Sequence, residues 1–463
     1  MKHIDTYYFL GIGGIGMSAL ARYFAAKGYR VLGYDRTSSP LTQLLEAEGI
    51  SVQYDDTLEQ VQELDKDKTI VVRTPAVPAD MAIYVWLREQ GFQILKRAEV
   101  LGIVTRSARA LCVAGTHGKT TTSTILAHIL HQSHVGANAF LGGIANNYNT
   151  NLLLDESENV VVEADEFDRS FHHLTPYISV ITSMDPDHLD IYGTEDAYRG
   201  SFKKYAGLVD HALVIKATLS QYIVKAAAPQ CRVYSYGVNK EVDFYAANVR
   251  VIDGEIWFDF HTPEHVLADV RLGVPVWVNV ENGVAAMAVA WLMGATDDEL
   301  RAGMSSFAGV YRRFNIHVNS SKVAYVDDYA HHPMELKACI ESVRQLYPDR
   351  YVMGVFQPHL FSRTRDFAQD FAEVLSTLDE VALLPIYPAR EQPIEGVTSE
   401  WLMKMVQAKR ALVLPEILAK YVRERVKKCV AQGKSCVVIT MGAGDIDRQV
   451  KDITKALQYK PLL

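Results

Sequence analysis

Residues 112–125 read CVAGTHGKTTTSTI, which is an apolar strand, a tight glycine turn and a helix that opens with Lys-Thr. Gly115 and Gly118 let backbone amides close around an anion. Lys119 adds positive charge, and the Thr120 hydroxyl is suited to Mg²⁺. A plain strand-to-helix turn is the alternative interpretation. The Thr run that follows at once favours a triphosphate site, with ATP and Mg²⁺ as its ligands.

A second glycine-rich loop follows the strand TYYFL near the N-terminus. Gly11, Gly13 and Gly16 fit the spacing G-x-G-x-x-G. Asp35 stands about 20 residues further on, where a ribose-binding acid lies in dinucleotide sites. Such a loop places a diphosphate on a helix N-terminus, which suits NAD and a UDP-sugar equally. The alternative is that these glycines only let the helix and strand pack closely.

Acidic residues and a histidine follow two apolar strands in the middle of the chain. They are Glu163, Asp165, Glu166, Asp185, Asp187, His188 and Asp190. In open parallel sheets, ligands bind beyond the carboxyl ends of the strands. A carboxylate and a histidine placed there can hold Mg²⁺ beside phosphates. The alternative is that the acids cap the helices that follow.

Alternation of strands and helices along the whole chain predicts an α/β fold with doubly wound parallel sheets. We expect three domains. Residues 1–108 would form a Rossmann-like domain, residues 109–312 a central P-loop-type ATPase domain with a parallel sheet, and residues 313–463 a second Rossmann-like domain. Residues 240–275 alternate apolar and polar side chains around an Asp-Gly pair, which predicts a hairpin insertion.

Composition restricts the class of protein further. The 463 residues are 49% hydrophobic and 22% charged, as in ordinary globular proteins. A net charge of −8 argues against a nucleic-acid-binding protein. The sequence has no apolar run of bilayer length and no signal-peptide pattern, so we expect no membrane partner. The five cysteines lack zinc-like spacing, which favours a reducing cytoplasm.

Two phosphate loops in one chain restrict the classes of enzyme that fit the sequence. A NAD-dependent oxidoreductase would explain the first loop and leave Lys119 unused. A plain kinase or GTPase would explain only the second loop. An ATP-driven ligase acting on a nucleotide-linked acid uses both. Transfer of the γ-phosphoryl group converts the carboxylate to an acyl phosphate, which an amine can attack.

The chain resembles the Mur ligases of peptidoglycan synthesis over essentially its whole length. The resemblance rests on an ordered set of segments: GIGGIGMSALA, AGTHGKTTT, EADE, DPDHLD, GVYRRF, DDYAHHPMEL, FQPHLFSRTRD, YPAREQPI and GAGDI. It implies an ATP-dependent ligase with ATP and Mg²⁺ as cofactors, UDP-N-acetylmuramate and L-alanine as small-molecule substrates, and a monomer or weak dimer. FQPHLFSRTRD and the Pro-Ala-Arg-Glu loop favour alanine over a murein tripeptide, which is the alternative amine.

The same resemblance implies sets of site residues. Those expected at the UDP-sugar and its acid are Gly13, Gly14, Ile15, Gly16, Met17, Ser18, Asp35, Arg73, Thr74, His359 and Arg363. Those expected at ATP are Gly115, Thr116, His117, Gly118, Lys119, Thr120, Thr121, Asn279, Asn282, Arg313 and Asp328. Mg²⁺ ligands would be Thr120, Glu163 and His188, and catalytic residues would be Lys119, His188, His331 and Arg363.

Three positions depart from the family pattern. Val278 stands where the family often has His beside adenine, so stacking on the base is not expected from it. Leu360 stands where Arg is frequent, and charge at that edge would come from Arg363 and Arg365. Phe167 replaces a frequent small polar residue and would reshape the sugar or alanine pocket.

Overall fold

The structure, a computed structural model, describes residues 3–74, 76–187, 189–252, 255–389 and 391–458. It forms two compact units. The first comprises Met1–Gly273 and Asn279–Ala308, and the second comprises Val274–Val278 and Gly309–Leu463. The first unit contains two sheets and the second unit contains one sheet. Short 3₁₀ turns also occur, at Val61–Glu63, Phe167–His173, Ala217–Leu219 and Val224–Ala226.

The N-terminal sheet is wholly parallel among its paired strands. Its strands are β1 (Thr6–Leu10), β2 (Arg30–Tyr34), β3 (Ser51–Gln53), β4 (Thr69–Arg73) and β5 (Gln93–Lys96). Its helices are α1 (Ile15–Ala26), α2 (Pro40–Ala47), α3 (Ala82–Glu89) and α4 (Arg97–Arg106). The strand order is β3-β2-β1-β4-β5, so the direction of winding reverses at β1. The loop after β1 therefore lies at the switch point where such sheets bind ligands.

The central sheet has a parallel middle and antiparallel ends. Its strands are β6 (Arg109–Ala114), β7 (Asn138–Ala145), β8 (Thr150–Leu153), β9 (Asn159–Ala164), β10 (Pro176–Ile181), β11 (Ala212–Lys216), β12 (Arg232–Val238), β13 (Phe244–Ile252), β14 (Glu255–His261) and β15 (Val266–Leu272). Their order is β15-β14-β13-β12-β11-β10-β6-β9-β7-β8. The expected hairpin is confirmed: β13 and β14 pair antiparallel, and its Asp-Gly turn lies outside the described residues.

Six helices accompany the central sheet: α5 (Lys119–His131), α6 (Leu189–Tyr192), α7 (Glu195–Ala206), α8 (Ser220–Ile223), α9 (Trp277–Leu292) and α10 (Asp297–Ser306). β6 is fully buried from Ala110 to Ala114, with β9 and β10 on either side of it. The carboxyl ends of these three strands therefore meet at one edge, where the CVAGTHGK segment emerges.

The second unit is built on a six-stranded sheet. Its strands are β16 (Asn315–Asn319), β17 (Val323–Asp328), β18 (Tyr351–Phe356), β19 (Glu380–Leu383), β20 (Lys409–Leu412) and β21 (Cys436–Met441), in the order β16-β17-β21-β18-β19-β20. Only the β16–β17 pair is antiparallel among these described strands. Its helices are α11 (Pro333–Leu346), α12 (Phe361–Asp366), α13 (Ala368–Leu375), α14 (Ser399–Met405), α15 (Pro415–Ala431) and α16 (Asp447–Leu457). Apolar clusters cover both faces of the sheet.

Helix length and polarity bear on membrane contact. Throughout the described part of the chain, every helix is either too short or too polar to cross a bilayer.

Candidate active site

The loop between β6 and α5 requires both of its glycines. Gly115 has φ of +137°, and a Cβ there would overlap the Thr182 hydroxyl and lie 2.8 Å from the Ser183 amide. Gly118 has φ of +82° and immediately precedes the helix. The loop is thus left-handed at two points and passes against the neighbouring strand end. Its amides and the N-terminus of α5 form the type of cradle that binds phosphates.

The same loop is held in place by the chain that follows β10. The Thr116 hydroxyl donates to the Asp185 carbonyl at 2.7 Å and lies 2.7 Å from the Tyr198 hydroxyl. The His117 amide donates to Ser183 Oγ at 2.7 Å. Neither Ser183 nor Tyr198 belongs to the glycine motif, so the sequence pattern does not point to them. The loop is therefore ordered by internal hydrogen bonds.

Lys119 is tied to a buried carboxylate. Its ammonium donates to Glu166 at 2.7 and 3.0 Å and to the Gly115 carbonyl at 2.7 Å. The Glu166 side chain is 2% exposed. Burial acts to lower the pKa of Lys119, but the carboxylates Glu166, Asp165 and Glu163 outweigh it and raise that pKa. Lys119 is consequently protonated at neutral pH.

Thr120 and Glu163 are in direct contact. The Thr120 hydroxyl donates to Glu163 Oε2 at 2.8 Å, across the ends of α5 and β9. A hydroxyl and a carboxylate are hard oxygen donors, which Mg²⁺ prefers while it keeps several waters or phosphate oxygens. These two residues therefore fit the predicted metal. His188, the third predicted ligand, lies outside the described residues, and Thr121 lies in the first turn of α5.

Gly142 of β7 lies directly behind the Glu163 carboxylate. A Cβ at Gly142 would overlap Glu163 Oε2 and stand 2.9 Å from Oε1. A methyl group there must therefore turn the carboxylate away from Thr120. We expect Gly142→Ala to lower kcat about 10-fold or more and to raise the Mg²⁺ concentration needed for half-maximal rate. A Mg²⁺ titration of ATP turnover measures both.

Gly200→Ala is the matched control for this prediction. A Cβ at Gly200, in α7, meets no described atom within 4 Å. We expect the control to behave as the unmodified protein. An unchanged Mg²⁺ dependence in Gly142→Ala would contradict the proposed packing role of Gly142.

Asn279 and Asn282 lie one turn apart on α9 beside the phosphate loop. A Cβ at Gly118 would lie 2.8 Å from Asn282 Oδ1, and the Thr122 hydroxyl donates to that oxygen at 3.2 Å. Asn282 Nδ2 in turn donates to Asn279 Oδ1 at 3.2 Å. The structure thus brings both predicted asparagines to the loop, as buried side chains. Val278 is 44% exposed.

The N-terminal glycine loop is organised by Asp35. The Gly13 amide donates to Asp35 Oδ2 at 2.8 Å, and the Thr37 amide donates to Oδ1 at 3.2 Å. A Cβ at Gly11, where φ is +83°, would stand 2.7 Å from Thr74 Cγ2. The predicted residues therefore meet around the loop and the exposed Gly14 that precedes α1. A ribose contact by Asp35 stays a prediction.

Three further residues predicted at the substrate, Met17, Ser18 and Arg73, make contacts within the protein. Met17 and Ser18 are buried, and the Ser18 hydroxyl donates to the Ile15 carbonyl at 3.1 Å. Asn151 of β8 donates to the same carbonyl at 2.6 Å and so fixes α1 on the central sheet. Arg73 lies with its guanidinium 5.2 Å from the centre of the Tyr84 ring.

Arg97 lies beside the N-terminal glycine loop and also contacts an acid near Lys119, and neither glycine motif includes it. Its guanidinium lies 2.8 Å from the place where a Cβ on Gly16 would stand. It also donates to Asp165 at 3.3 Å. Asp165 precedes Glu166, which pairs with Lys119. A signal was present in the sequence, because two cations, Lys-Arg, open a helix where the macrodipole disfavours positive charge.

In the second unit, Asp328 ends β17 and accepts two backbone hydrogen bonds. The donors are the amides of Phe314 and Ala330, each at 2.7 Å. Burial raises the pKa of Asp328 to about 6, against the opposing effect of Arg313. The half-buried Arg313 lies 4.9 Å from the Tyr329 ring centre. Predicted residues Arg313 and Asp328 are therefore brought together.

The raised pKa of Asp328 has a consequence for stability. The folded state keeps the proton to a higher pH than the unfolded state, so its contribution is fully present below about pH 4 and is lost as pH rises through about 6. We expect Asp328→Asn to remove that part of the pH dependence of the unfolding free energy. Denaturant unfolding of both proteins between pH 4 and 7 measures it, and parallel profiles would contradict it.

His331, His359 and Arg363 also lie together in the second unit. The ring centres of His331 and His359 are 5.9 Å apart. Burial lowers the pKa of His331, Glu335 opposes this, and the nearby positive charge of Arg363 adds to it. His331 is thus neutral at pH 7. Leu360 has φ of +69° before α12, and the Ser362 amide of that helix donates to Glu391 of the Pro-Ala-Arg-Glu loop at 3.0 Å.

The chain has clear relatives among known proteins. Three family descriptions match it: Mur ligase family, catalytic domain, over residues 6–109, Mur ligase middle domain over 113–290, and Mur ligase, glutamate ligase domain, over 312–444. A curated UDP-N-acetylmuramate–L-alanine ligase of Parabacteroides distasonis is 53% identical over 462 residues, covering 99% of this chain and 98% of its own.

Solved structures agree with this relationship. A UDP-N-acetylmuramate–alanine ligase from Thermotoga maritima matches with a TM-score of 0.78 and 25% identity, covering 98% of this chain and 99% of its own. The MurF ligase of Thermotoga maritima, solved in complex with ADP, matches with a TM-score of 0.61 and 18% identity, covering 94% and 97%. The second likeness concerns the fold alone.

The chain belongs to the Mur ligase family. Ligases of this family are ATP-dependent, and the expected three-domain α/β fold is confirmed. The protein is an enzyme, a ligase of peptidoglycan synthesis. The domain boundaries at residues 108 and 312 stay predictions.

Proposed function

We propose that the chain joins L-alanine to the carboxylate of UDP-N-acetylmuramate, with ATP converted to ADP and phosphate. One observation carries the proposal: the two acids that follow β9, Asp165 and Glu166, pair with one cation beside each glycine loop. Glu166 contacts Lys119, and Asp165 contacts Arg97 beside Gly16. The two glycine loops therefore lie near the same pair of acids. This arrangement favours two bound nucleotides, one that donates a phosphoryl group and one that carries the acid.

The ATP half of the reaction depends on the central domain. Gly115 and Gly118 with the α5 N-terminus bind the phosphates, and Lys119 exchanges its Glu166 partner for a phosphate oxygen. Mg²⁺ held by Thr120 and Glu163 would neutralise charge on the phosphate oxygens. Positive charge and amides aimed at the transferring group stabilise its transition state more than its ground state.

The chemistry then proceeds in two displacements. A carboxylate oxygen of the sugar acid attacks the γ-phosphorus, the bond to the β-phosphate oxygen breaks, and ADP leaves. The neutral amine of L-alanine attacks the carbonyl carbon of the acyl phosphate, the bond to phosphate breaks, and the nitrogen gives one proton to solvent or to the departing phosphate. The protein contributes by holding the reacting groups in line and by excluding water.

Four residues of the second unit are also proposed to bind ligands, as the family resemblance implies. Asp328 and Arg313 are proposed to contact ATP, and His359 and Arg363 the negative charge that develops on the acid or the γ-phosphate. A neutral His331 beside Arg363 fits hydrogen bonding in place of ion pairing. We also place the reaction in the cytoplasm, since it consumes ATP, with a monomer or weak dimer as the active form.

The alternatives are less well supported. A tripeptide-recycling ligase would share both loops, but relatives about 50% identical over nearly the full length are named L-alanine ligases. A NAD-dependent oxidoreductase leaves Lys119 and its carboxylates without a role. Family membership argues against that class.

Phosphate release tests the function directly. The purified protein is supplied with ATP, Mg²⁺ and UDP-N-acetylmuramate, and the amine is varied among L-alanine, glycine, L-serine and murein tripeptide. We expect phosphate release to require the sugar nucleotide and to show the highest kcat/KM with L-alanine. Preference for the tripeptide would favour the recycling ligase, and tight binding of NADH in a fluorescence titration would favour the oxidoreductase.

A further inference from the structure

We propose that Arg97 binds the diphosphate of the UDP-sugar at the glycine loop, and that Asp165 competes with this diphosphate for the guanidinium. The inference rests on the proposed function, which supplies a uridine diphosphate group. It adds a residue 81 positions beyond Gly16 to a site whose sequence motif ends at Ser18. Its observations are the position of the guanidinium, the charge balance of the loop and the long contact with Asp165.

The guanidinium lies on the first turn of α1. Distances are measured from the point where a Cβ on Gly16 would lie. From this point Nη1 of Arg97 is 2.8 Å away, Cδ 3.3 Å and Cζ 3.5 Å. Any larger residue than glycine at this position would push the guanidinium away. The absence of a side chain at Gly16 therefore admits Arg97 to the N-terminus of α1.

The charge balance of the loop calls for such a cation. Residues 11–18, GIGGIGMS, contain no Lys, Arg or His. A helix N-terminus supplies only about half an elementary charge, which is less than a diphosphate carries. The planar fork of arginine matches phosphate oxygens with two parallel hydrogen bonds. Arg97 places that fork where the loop itself offers only amides.

Arg97 stands in the first turn of α4, where the macrodipole disfavours a cation and where Glu99 supplies one carboxylate. Lys96 and Arg97 stand at the N-terminus of α4, where the macrodipole repels positive charge. Each is compensated by an acid from the segment after β9: Lys96 donates to Asp168 at 2.9 Å, and Arg97 donates to Asp165 at 3.3 Å. Two cations at the start of a helix therefore indicate that their positive charge serves to bind an anion.

The contact with Asp165 is suited to exchange. At 3.3 Å it is longer than the 2.7–2.9 Å typical of strong charge-assisted hydrogen bonds. The Arg97 side chain is 27% exposed and that of Asp165 is 35% exposed, so an incoming anion reaches both. A diphosphate that binds the guanidinium therefore has to break only one weak ion pair. The Asp165 carboxylate, which stays nearby, repels the diphosphate.

Binding of UDP tests the inference without turnover. We expect Arg97→Gln to raise the Kd for UDP about 10-fold or more, and Arg97→Lys to give an intermediate value, since charge is kept and the fork is lost. Asp165→Asn should lower the Kd for UDP, because the competitor is neutralised. Calorimetric titration with UDP measures these values. Titration of the same samples with ADP should give the unmodified Kd in Arg97→Gln and thereby show an intact central domain.

Arg106→Gln is the matched control, an exposed arginine at the other end of α4. It should bind UDP as the unmodified protein does. Equal UDP affinity in Arg97→Gln and the unmodified protein would overturn the role of Arg97 alone. Weaker UDP binding in Asp165→Asn would overturn the competition. An unmodified protein that does not bind UDP would overturn the proposed function, and this inference with it.

Discussion

Lys119→Ala is expected to reduce ATP turnover about 1,000-fold or more while UDP-sugar binding remains largely intact. Lys119 is the cation proposed to bind the transferring phosphate, and, among the described residues, none of the N-terminal glycine loop is a hydrogen-bond partner of its ammonium. Phosphate release measures the loss, and calorimetric titration with UDP-N-acetylmuramate measures the retained binding. Ligase activity near that of the unmodified protein would overturn the role given to Lys119.

Loss of stability has to be separated from loss of chemistry in this experiment. Removing Lys119 leaves Glu166, 2% exposed, without its main cation. Breaking a buried ion pair by removing one partner costs about 3–5 kcal/mol. The double variant Lys119→Ala/Glu166→Gln removes the stranded charge as well. We expect it to recover much of the stability, as measured by denaturant unfolding, and to remain inactive.

Glu163→Gln is expected to lower ATP turnover about 100-fold or more. The amide can still accept the hydrogen bond that Thr120 donates at 2.8 Å, so the local packing is kept. The negative charge needed by a divalent cation is lost. Direct titration with Mn²⁺, followed by electron paramagnetic resonance in the presence of ADP, should show weaker metal binding.

Glu158→Gln is the control for this variant. Glu158 is exposed and lies just before β9, at the other end of the strand that carries Glu163. It should leave both turnover and Mn²⁺ binding unchanged. Equal Mn²⁺ affinity in Glu163→Gln and in the control would remove Glu163 from the metal site.

The features that the sequence predicted well are contiguous. Gly115, Gly118, Lys119 and Thr120 lie within six residues, so their spacing alone defines a strand, a turn and a helix start. The contact of Glu163 with Thr120 was also predictable, because strand ends in parallel sheets converge; its role as a metal ligand stays a prediction. The alternation of strands and helices likewise predicted the class of fold, which depends on local periodicity and short connections.

Contacts between distant segments were not predictable in the same way. Arg97 meets Asp165, and Gly142 meets Glu163, only because the sheets bring these segments together. The sequence around a strand glycine such as Gly142 does not indicate which side chain will pack against it. The motif alone also did not show that the Ser18 side chain faces the interior of the protein, as one side of any packed helix does.

The ion pair of Lys119 with Glu166 also affects which anions can bind at the loop. An incoming ligand must offer the ammonium more than the carboxylate that already holds it. We expect chloride or a singly charged metabolite to gain too little from the exchange, whereas a polyphosphate chain can engage several loop amides at once. If this loop binds ATP as proposed, we expect the ion pair to keep small anions out, so that selectivity for nucleoside triphosphates begins before adenine is recognised.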